Sequence, residues 1–138
     1  ENYGAVIMGS RNMEQESVPG KSSFGNKFSN FWFHLETGIR LPDTQTGYRA
    51  YPVAKAVKKR YFTSKFEFEI EVLVKLAWAG CKIVPIPIKV LYDPDERVSH
   101  FRPFWDFFRI SCLNVYFVTL TALWHFPKRI LKRLFSKK

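Results

Sequence analysis

Apolar positions along the chain fall into segments of different period. Ala5-Val6-Ile7-Met8 is a continuous apolar run stopped by Gly9. That is the pattern of a strand buried on both faces of a mostly parallel sheet, with sheet neighbours expected mainly outside this chain. Residues 12–23 have no period and contain Pro19-Gly20, so a loop is predicted there. Phe24, Phe28, Phe31 and Leu35 then recur at i, i+4, i+7 and i+11, the stripe of an amphipathic helix. Lys27, Asn30 and His34 fall on its other face, and Gly38 is its expected stop.

Residues 43–51 are polar and turn-like around Gly47. Pro52 suits the first position of a short helix with Val53, Ala56 and Val57 inward, ended by Lys58-Lys59-Arg60. Residues 66–79 fit two periods: Phe66-Glu67-Phe68-Glu69-Ile70-Glu71 alternates, while Phe66, Ile70, Leu73 and Ala77 form a helical stripe. The length of the segment and the closing Gly80 favour helix. Within residues 83–90 the β-branched residues indicate a strand, and Pro85 and Pro87 place it at a sheet edge. A polar loop follows over residues 92–100.

From Phe101 to Phe126 there are nine aromatics, and the 18 residues 110–127 carry no formal charge. As a helix this run spans about 27 Å, just short of a bilayer's hydrocarbon core. Asn114, Thr119, Thr121 and His125 dilute it, and Asp106 and Arg109 interrupt any backward extension. An interfacial or re-entrant helix is therefore expected ahead of a spanning one.

Charge sharpens this picture. The 138 residues carry 22 basic and 12 acidic side chains, a formal net charge of +10. Six of the cations, Lys128, Arg129, Lys132, Arg133, Lys137 and Lys138, lie in the last eleven residues with no acid. Such a tail attracts polyanions, either nucleic acid or an anionic membrane face. With 46% apolar and 17% aromatic residues, the chain is too hydrophobic for a disordered tail and long enough for one core. Cys81 and Cys112 are too few and too far apart for a disulfide framework or a zinc site, which fits a reducing compartment. The opening Glu1-Asn2-Tyr3-Gly4 has no initiator Met, basic n-region or cleavable apolar stretch, so no secretory signal is read. The chain is expected to be part of a longer protein.

Two segments carry candidate chemistry. Gly9-Ser10-Arg11 follows the buried strand, and open α/β sheets place ligands at the carboxyl ends of their strands. Arg11 there either holds a phosphate or pairs with Glu14 or Glu16 in the next loop. Asp43-Thr44-Gln45-Thr46-Gly47-Tyr48-Arg49 packs an acid, an amide, a permissive glycine and a planar cation into seven residues. It is either a polar site or a turn in which Arg49 bridges to Asp43. Glu67, Glu69 and Glu71 read first as a solvated helix face, with Glu71 the one most open to a site role. Ser99-His100 lacks an orienting acid and is not read as a nucleophile and base. His34 and His125 read as a surface and an interfacial histidine.

Four ordered segments together resemble the second half of family 2 glycosyltransferases of the dolichyl-phosphate sugar synthase type. They are Gly9-Ser10-Arg11, Asp43-Thr44-Gln45-Thr46-Gly47-Tyr48-Arg49-Ala50-Tyr51, Phe66-Glu67-Phe68-Glu69-Ile70-Glu71 and Val84-Pro85-Ile86-Pro87-Ile88. Arg97-Val98-Ser99-His100-Phe101-Arg102-Pro103-Phe104 resembles the tail of a bacterial subgroup.

The resemblance implies an α/β chain forming the C-terminal part of a GT-A fold over residues 1–100. A membrane-associated helical segment would follow over 101–127 and a basic tail over 128–138. It also implies an inverting transfer of sugar from a nucleotide-sugar donor to a lipid-phosphate or lipid-linked acceptor at the cytoplasmic membrane face. Mg²⁺ or Mn²⁺ would be held mainly by a preceding half with an Asp-x-Asp motif. Asp93-Pro94-Asp95 lies beyond the edge strand, in the wrong place for that motif.

By the same resemblance Asp43, Gln45 and Arg49 are catalytic candidates, and Ser10, Arg11, Lys27 and Glu71 are substrate-binding candidates. Trp105, Trp124, Lys128, Arg129, Lys132 and Arg133 are candidate membrane contacts. Ser22-Ser23 stands where lipid-phosphate members often carry a further arginine, and Gln45-Thr46-Gly47-Tyr48-Arg49 departs from the Gln-x-x-Arg-Trp of processive synthases. A nucleic-acid module and a non-enzymatic membrane anchor are the competing readings. The order of an uncharged aromatic run followed by lysines suits lipid chains and headgroups better than an interleaved base-stacking surface.

Overall fold

Val6 and Met8 have no exposed surface, because the strand that carries them is paired on both edges and covered by a helix. The computed structural model describes residues 4–12, 20–90 and 102–128, with backbone alone at 21, 22 and 103. Strand β1 (Val6–Arg11) is followed by helix α1 (Gly20–Thr37), strand β2 (Arg49–Ala50) and the single turn α2 (Val53–Ala56). Helix α3 (Phe66–Trp78), strand β3 (Ile83–Ile88) and helix α4 (Pro103–Leu120) complete the order, and a π-helical turn, Thr121–His125, continues α4. The fold is mixed α/β, with a three-stranded sheet of order β2-β1-β3 among the described residues.

β1 pairs antiparallel with β2, Met8 opposite Arg49, and parallel with β3 from Val6 opposite Ile83 to Arg11 opposite Ile88. The sequence places the neighbours of β1 mainly outside the chain; the structure supplies one on each side from within it. β1 also continues through Gly9 rather than stopping there. β3 is at the edge, as its prolines require: a missing N–H on an open edge leaves no ladder bond unmade.

Helix α3 forms where length and Gly80 favour it, and Gly38 and Gly80 end α1 and α3 at φ 74° and 75°, a conformation costly for residues with a Cβ. α3 is the centre of the core: Val72, Leu73, Val74, Leu76 and Ala77 are buried with Val6, Met8, Phe33, Leu41, Leu113 and Phe117. α1, α2 and α4 all pack on it. Two of its three glutamates are inside as well, Glu67 at 2% and Glu71 at 0% exposure, so the segment does not present a solvated acidic face. Val53 and Val57 are exposed, and of the three residues expected inward on α2 only Ala56 packs against the core.

The largest departure from the sequence pattern is the sidedness of α1. Its apolar stripe points outward, with Phe24, Phe31 and Leu35 exposed. The inward face carries Asn26, Phe33 and Thr37, at i, i+7 and i+11, with Asn30 part-buried between them. The carbonyl of Glu36 accepts bonds from Trp78 Nε1 (2.8 Å) and Thr121 Oγ1 (2.6 Å), so α3 and α4 both fasten the last turn of α1. Trp78 also stacks on His125 at 4.1 Å, which locks the π-helical turn against α3.

Candidate functional site

The carboxyl end of β1 and the loop after α1 meet at Asp43. β1 delivers Arg11, and α1 delivers Asn26 and Asn30 one turn apart on its inward face. Asp43 is fully buried, and its two oxygens accept five donors. Oδ2 takes the Arg11 backbone N–H (3.1 Å) and Nε (2.6 Å). Oδ1 takes Arg11 Nη2 (2.9 Å), Asn26 Nδ2 (2.5 Å) and the Gln45 N–H (3.1 Å). Burial alone would raise the Asp43 pKa, but the Arg11 hydrogen bonds and charge, with the Gln45 N–H, hold it below the usual carboxylate value. Asp43 is therefore an ionised, fully engaged carboxylate that fixes the Arg11 guanidinium, and Arg11 keeps 21% of its side chain exposed.

A ladder of amides holds the loop to α1. Asn30 Nδ2 donates to Asn26 Oδ1 (2.7 Å) and to the Pro42 carbonyl (2.9 Å). Asn30 Oδ1 accepts from the Thr44 N–H (2.9 Å) and hydroxyl (2.7 Å). Arg49 does not reach Asp43. Its side chain is 3% exposed and donates to the carbonyls of Thr46 (2.7 Å), Thr44 (2.8 Å) and Glu69 (2.8 Å), with Glu69 Oε2 at 3.6 Å. It braces the loop and β2 against α3.

The remaining candidates separate. Ser10 lies beside Arg11 on β1, half-buried and opposite Pro87. Gln45 is exposed, with its side-chain amide over Gly25. Lys27 is exposed too, about 100° around α1 from Asn26, so it does not join the cluster.

Glu71 belongs to a different cluster. It accepts the Phe62 and Thr63 N–H groups, the Thr63 hydroxyl (2.5 Å) and Lys75 Nζ (2.5 Å). Burial would raise its pKa, but the Lys75, Thr63 and Phe62 hydrogen bonds lower it. Glu67 pairs with Arg109 of α4 at a cleft of about 380 Å³ between α3 and α4.

Among the described residues no three His, Cys, Asp or Glu side chains are grouped to hold a metal ion, and the oxygens of Asp43 are already taken. Trp105 and Trp124 are exposed on α4 and its continuation, and Lys128 Nζ sits 3.9 Å from the Trp124 ring centre. Arg129, Lys132 and Arg133 lie outside the described residues, as do Glu14, Glu16 and residues 91–101.

Sequence reasoning passed over Asn26 and set Asn30 on the wrong face. The signal was present: two asparagines at i, i+4 are poor helix formers, and a polar partner explains their presence. The 25-residue helix Phe104–Lys128, mean hydropathy 1.4, is long and apolar enough to cross a membrane. Comparison with family models, curated proteins and solved structures finds no match for this chain.

Proposed function

We propose that this chain is the acceptor side of an inverting glycosyltransferase that works at the cytoplasmic face of a membrane, moving a sugar from a nucleotide-sugar donor to a lipid-phosphate or lipid-linked acceptor. The observation that carries the reading is the Arg11 guanidinium, clamped by a wholly buried carboxylate at the carboxyl end of the central strand. Ligands of open α/β sheets gather there. A cation held before the ligand arrives stabilises phosphate charge without reorganising during the reaction. Arg11 is therefore the acceptor-phosphate contact, and Asp43 and Asn26 position it. Arg49 acts through the loop it braces.

The donor, and the Mg²⁺ or Mn²⁺ expected with it, would be held mainly by a preceding half of the enzyme. The mixed α/β architecture, the ordered motifs and the apolar α4 are compatible with the C-terminal part of a GT-A fold beside a membrane.

The test is sugar transfer by the full-length enzyme with a panel of nucleotide sugars and polyprenyl phosphate acceptors. Arg11→Ala is expected to raise KM for the acceptor by about tenfold or more while leaving donor KM unchanged. An unchanged acceptor KM would remove Arg11 from the acceptor site and the reading with it.

A further inference from the structure

Both long outer helices bury polar residues and expose large apolar ones. On α1 the buried side carries Asn26, Glu36 and Thr37 beside Phe33, while Phe24, Phe31 and Leu35 face outward. On α4 and its continuation Asp106, Asn114 and Thr121 are buried beside Leu113 and Phe117, while Phe104, Phe108 and Val115 are exposed on the opposite face. Water does not favour an exposed aromatic stripe on either helix. The two outer faces join: Phe24 stacks on Phe28 at 6.3 Å, and Phe28 on Phe107 of α4 at 5.4 Å. The aromatic surface is thus one continuous patch rather than scattered residues.

We infer that α1 and α4 form a single lipid-contact face, and that its occupant is an anionic bilayer leaflet. The charge distribution selects this occupant. Six of the chain's acids lie among the described residues, and five of them, Glu36, Asp43, Glu67, Glu71 and Asp106, are buried. The sixth, Glu69, is half-exposed beside Arg49. Arg49 is buried and Arg11, Lys75 and Arg109 pair with buried acids, whereas Lys27 is exposed at the edge of the α1 stripe and Lys128 at the end of the α4 face.

A lysine among phenylalanines suits a leaflet, where the stem lies in the acyl region and the ammonium reaches a headgroup phosphate. A second copy of a chain of net charge +10 would bring like charges together at the same face. The arrangement also sets the site's height. Asn26 is on the side of α1 away from the stripe, so the Arg11–Asp43 pair stands about one helix diameter, roughly 10 Å, from the lipid face. A phosphate at the leaflet surface is then the natural ligand for Arg11.

The inference rests on the membrane-side reading above but not on transfer chemistry, so vesicle binding and sugar transfer fail separately. The test is flotation of the full chain with phosphatidylcholine vesicles with and without phosphatidylglycerol. Binding should require the anionic lipid, and Phe31→Glu with Leu35→Glu should lower the bound fraction about tenfold although α4 is untouched.

Should the double variant fold poorly, Phe31→Cys in a Cys112→Ser background, carrying an environment-sensitive dye, should shift to the blue on the same vesicles. Undiminished binding by a folded double variant, or a dye at position 31 that stays in water while the chain is bound, removes α1 from the lipid face. A chain that ignores vesicles and sediments as a dimer gives the face to a second copy and overturns the inference.

Discussion

Glu36 offers a direct test of how the helices are packed. It is fully buried in the last turn of α1, neither carboxyl oxygen has a hydrogen-bond partner, and burial pushes its pKa from 4.5 up to about 8. An unpaired buried carboxyl stays protonated because desolvating the charge costs more than holding the proton. Below pH 4.5 it is neutral in both the folded and unfolded states. Between 4.5 and about 8 the unfolded chain releases the proton and the folded chain keeps it, so stability falls as pH rises, by about 1.4 kcal/mol per pH unit, and levels off above 8.

At pH 7 the accumulated loss is on the order of 3 kcal/mol. Glu36→Gln removes the titration while keeping shape and one polar head. It should therefore match the wild type near pH 4.5 and exceed it by about 3 kcal/mol at pH 7 in urea unfolding followed by circular dichroism. The depressed carboxyls of Asp43 and Glu71 act in acid and are common to both chains, so the difference curve isolates Glu36. Parallel stability curves for the two chains from pH 4.5 to 8 would show that Glu36 ionises freely, and that the α1, α3 and α4 junction is open to water.

Gly9→Ala should destabilise by about 1–3 kcal/mol in the same assay, because its Cβ would come within 2.8 Å of Ile88 Cδ1 and 3.0 Å of Tyr48 Cβ, side chains of the strand on one side and the loop on the other. Asp43→Asn should cost about 3 kcal/mol at neutral pH by removing the buried carboxylate charge that the Arg11 guanidinium faces. Asp43's folded pKa is depressed, so its contribution is present above an ordinary 3.8 and lost as pH falls through the folded value; the gap between variant and wild type should close in acid. On the proposed function, Arg49→Ala should lower the melting temperature rather than change substrate binding, since its donors serve the carbonyls of Thr44, Thr46 and Glu69, the Tyr51 hydroxyl and the Glu69 carboxylate. A variant with wild-type melting and impaired transfer would return Arg49 to the substrate.

Much of the element pattern was legible because it depends on local chemistry. The prolines of β3 put it on an edge, Gly38 and Gly80 stopped two helices, and Gly80 with segment length resolved the double period at residues 66–79. Pairing across distance was not legible. Asp43 is thirty-two residues from Arg11, and only the parallel register and the α1 loop bring the two together; Glu14 and Glu16 lie outside the described residues. The same limit applies to Glu67 and Glu71. A run of alternating acids looks solvated until Arg109 arrives from α4 and Lys75 and Thr63 close over Glu71.

The sidedness of α1 exposes a different limit. A period of 3.6 says that one stripe is apolar, but whether that stripe faces the core or the surroundings depends on what the surroundings are. In water such a stripe goes inward. Here Asn26 and Asn30 are needed inside to hold Asp43 and Thr44, and a helix that gives its inward face to a polar loop must turn its phenylalanines out. The site and the outer face are thus two consequences of one rotation of α1: the orientation that brings Asn26 to Asp43 also brings Phe24, Phe31 and Leu35 to the exterior beside α4. Rotating the helix to bury the phenylalanines would withdraw both amides from the loop and leave Asp43 with Arg11 and a single N–H. The exposed aromatic face is therefore tied to the site's geometry, and on the proposed lipid contact both sides of the helix would be satisfied at once.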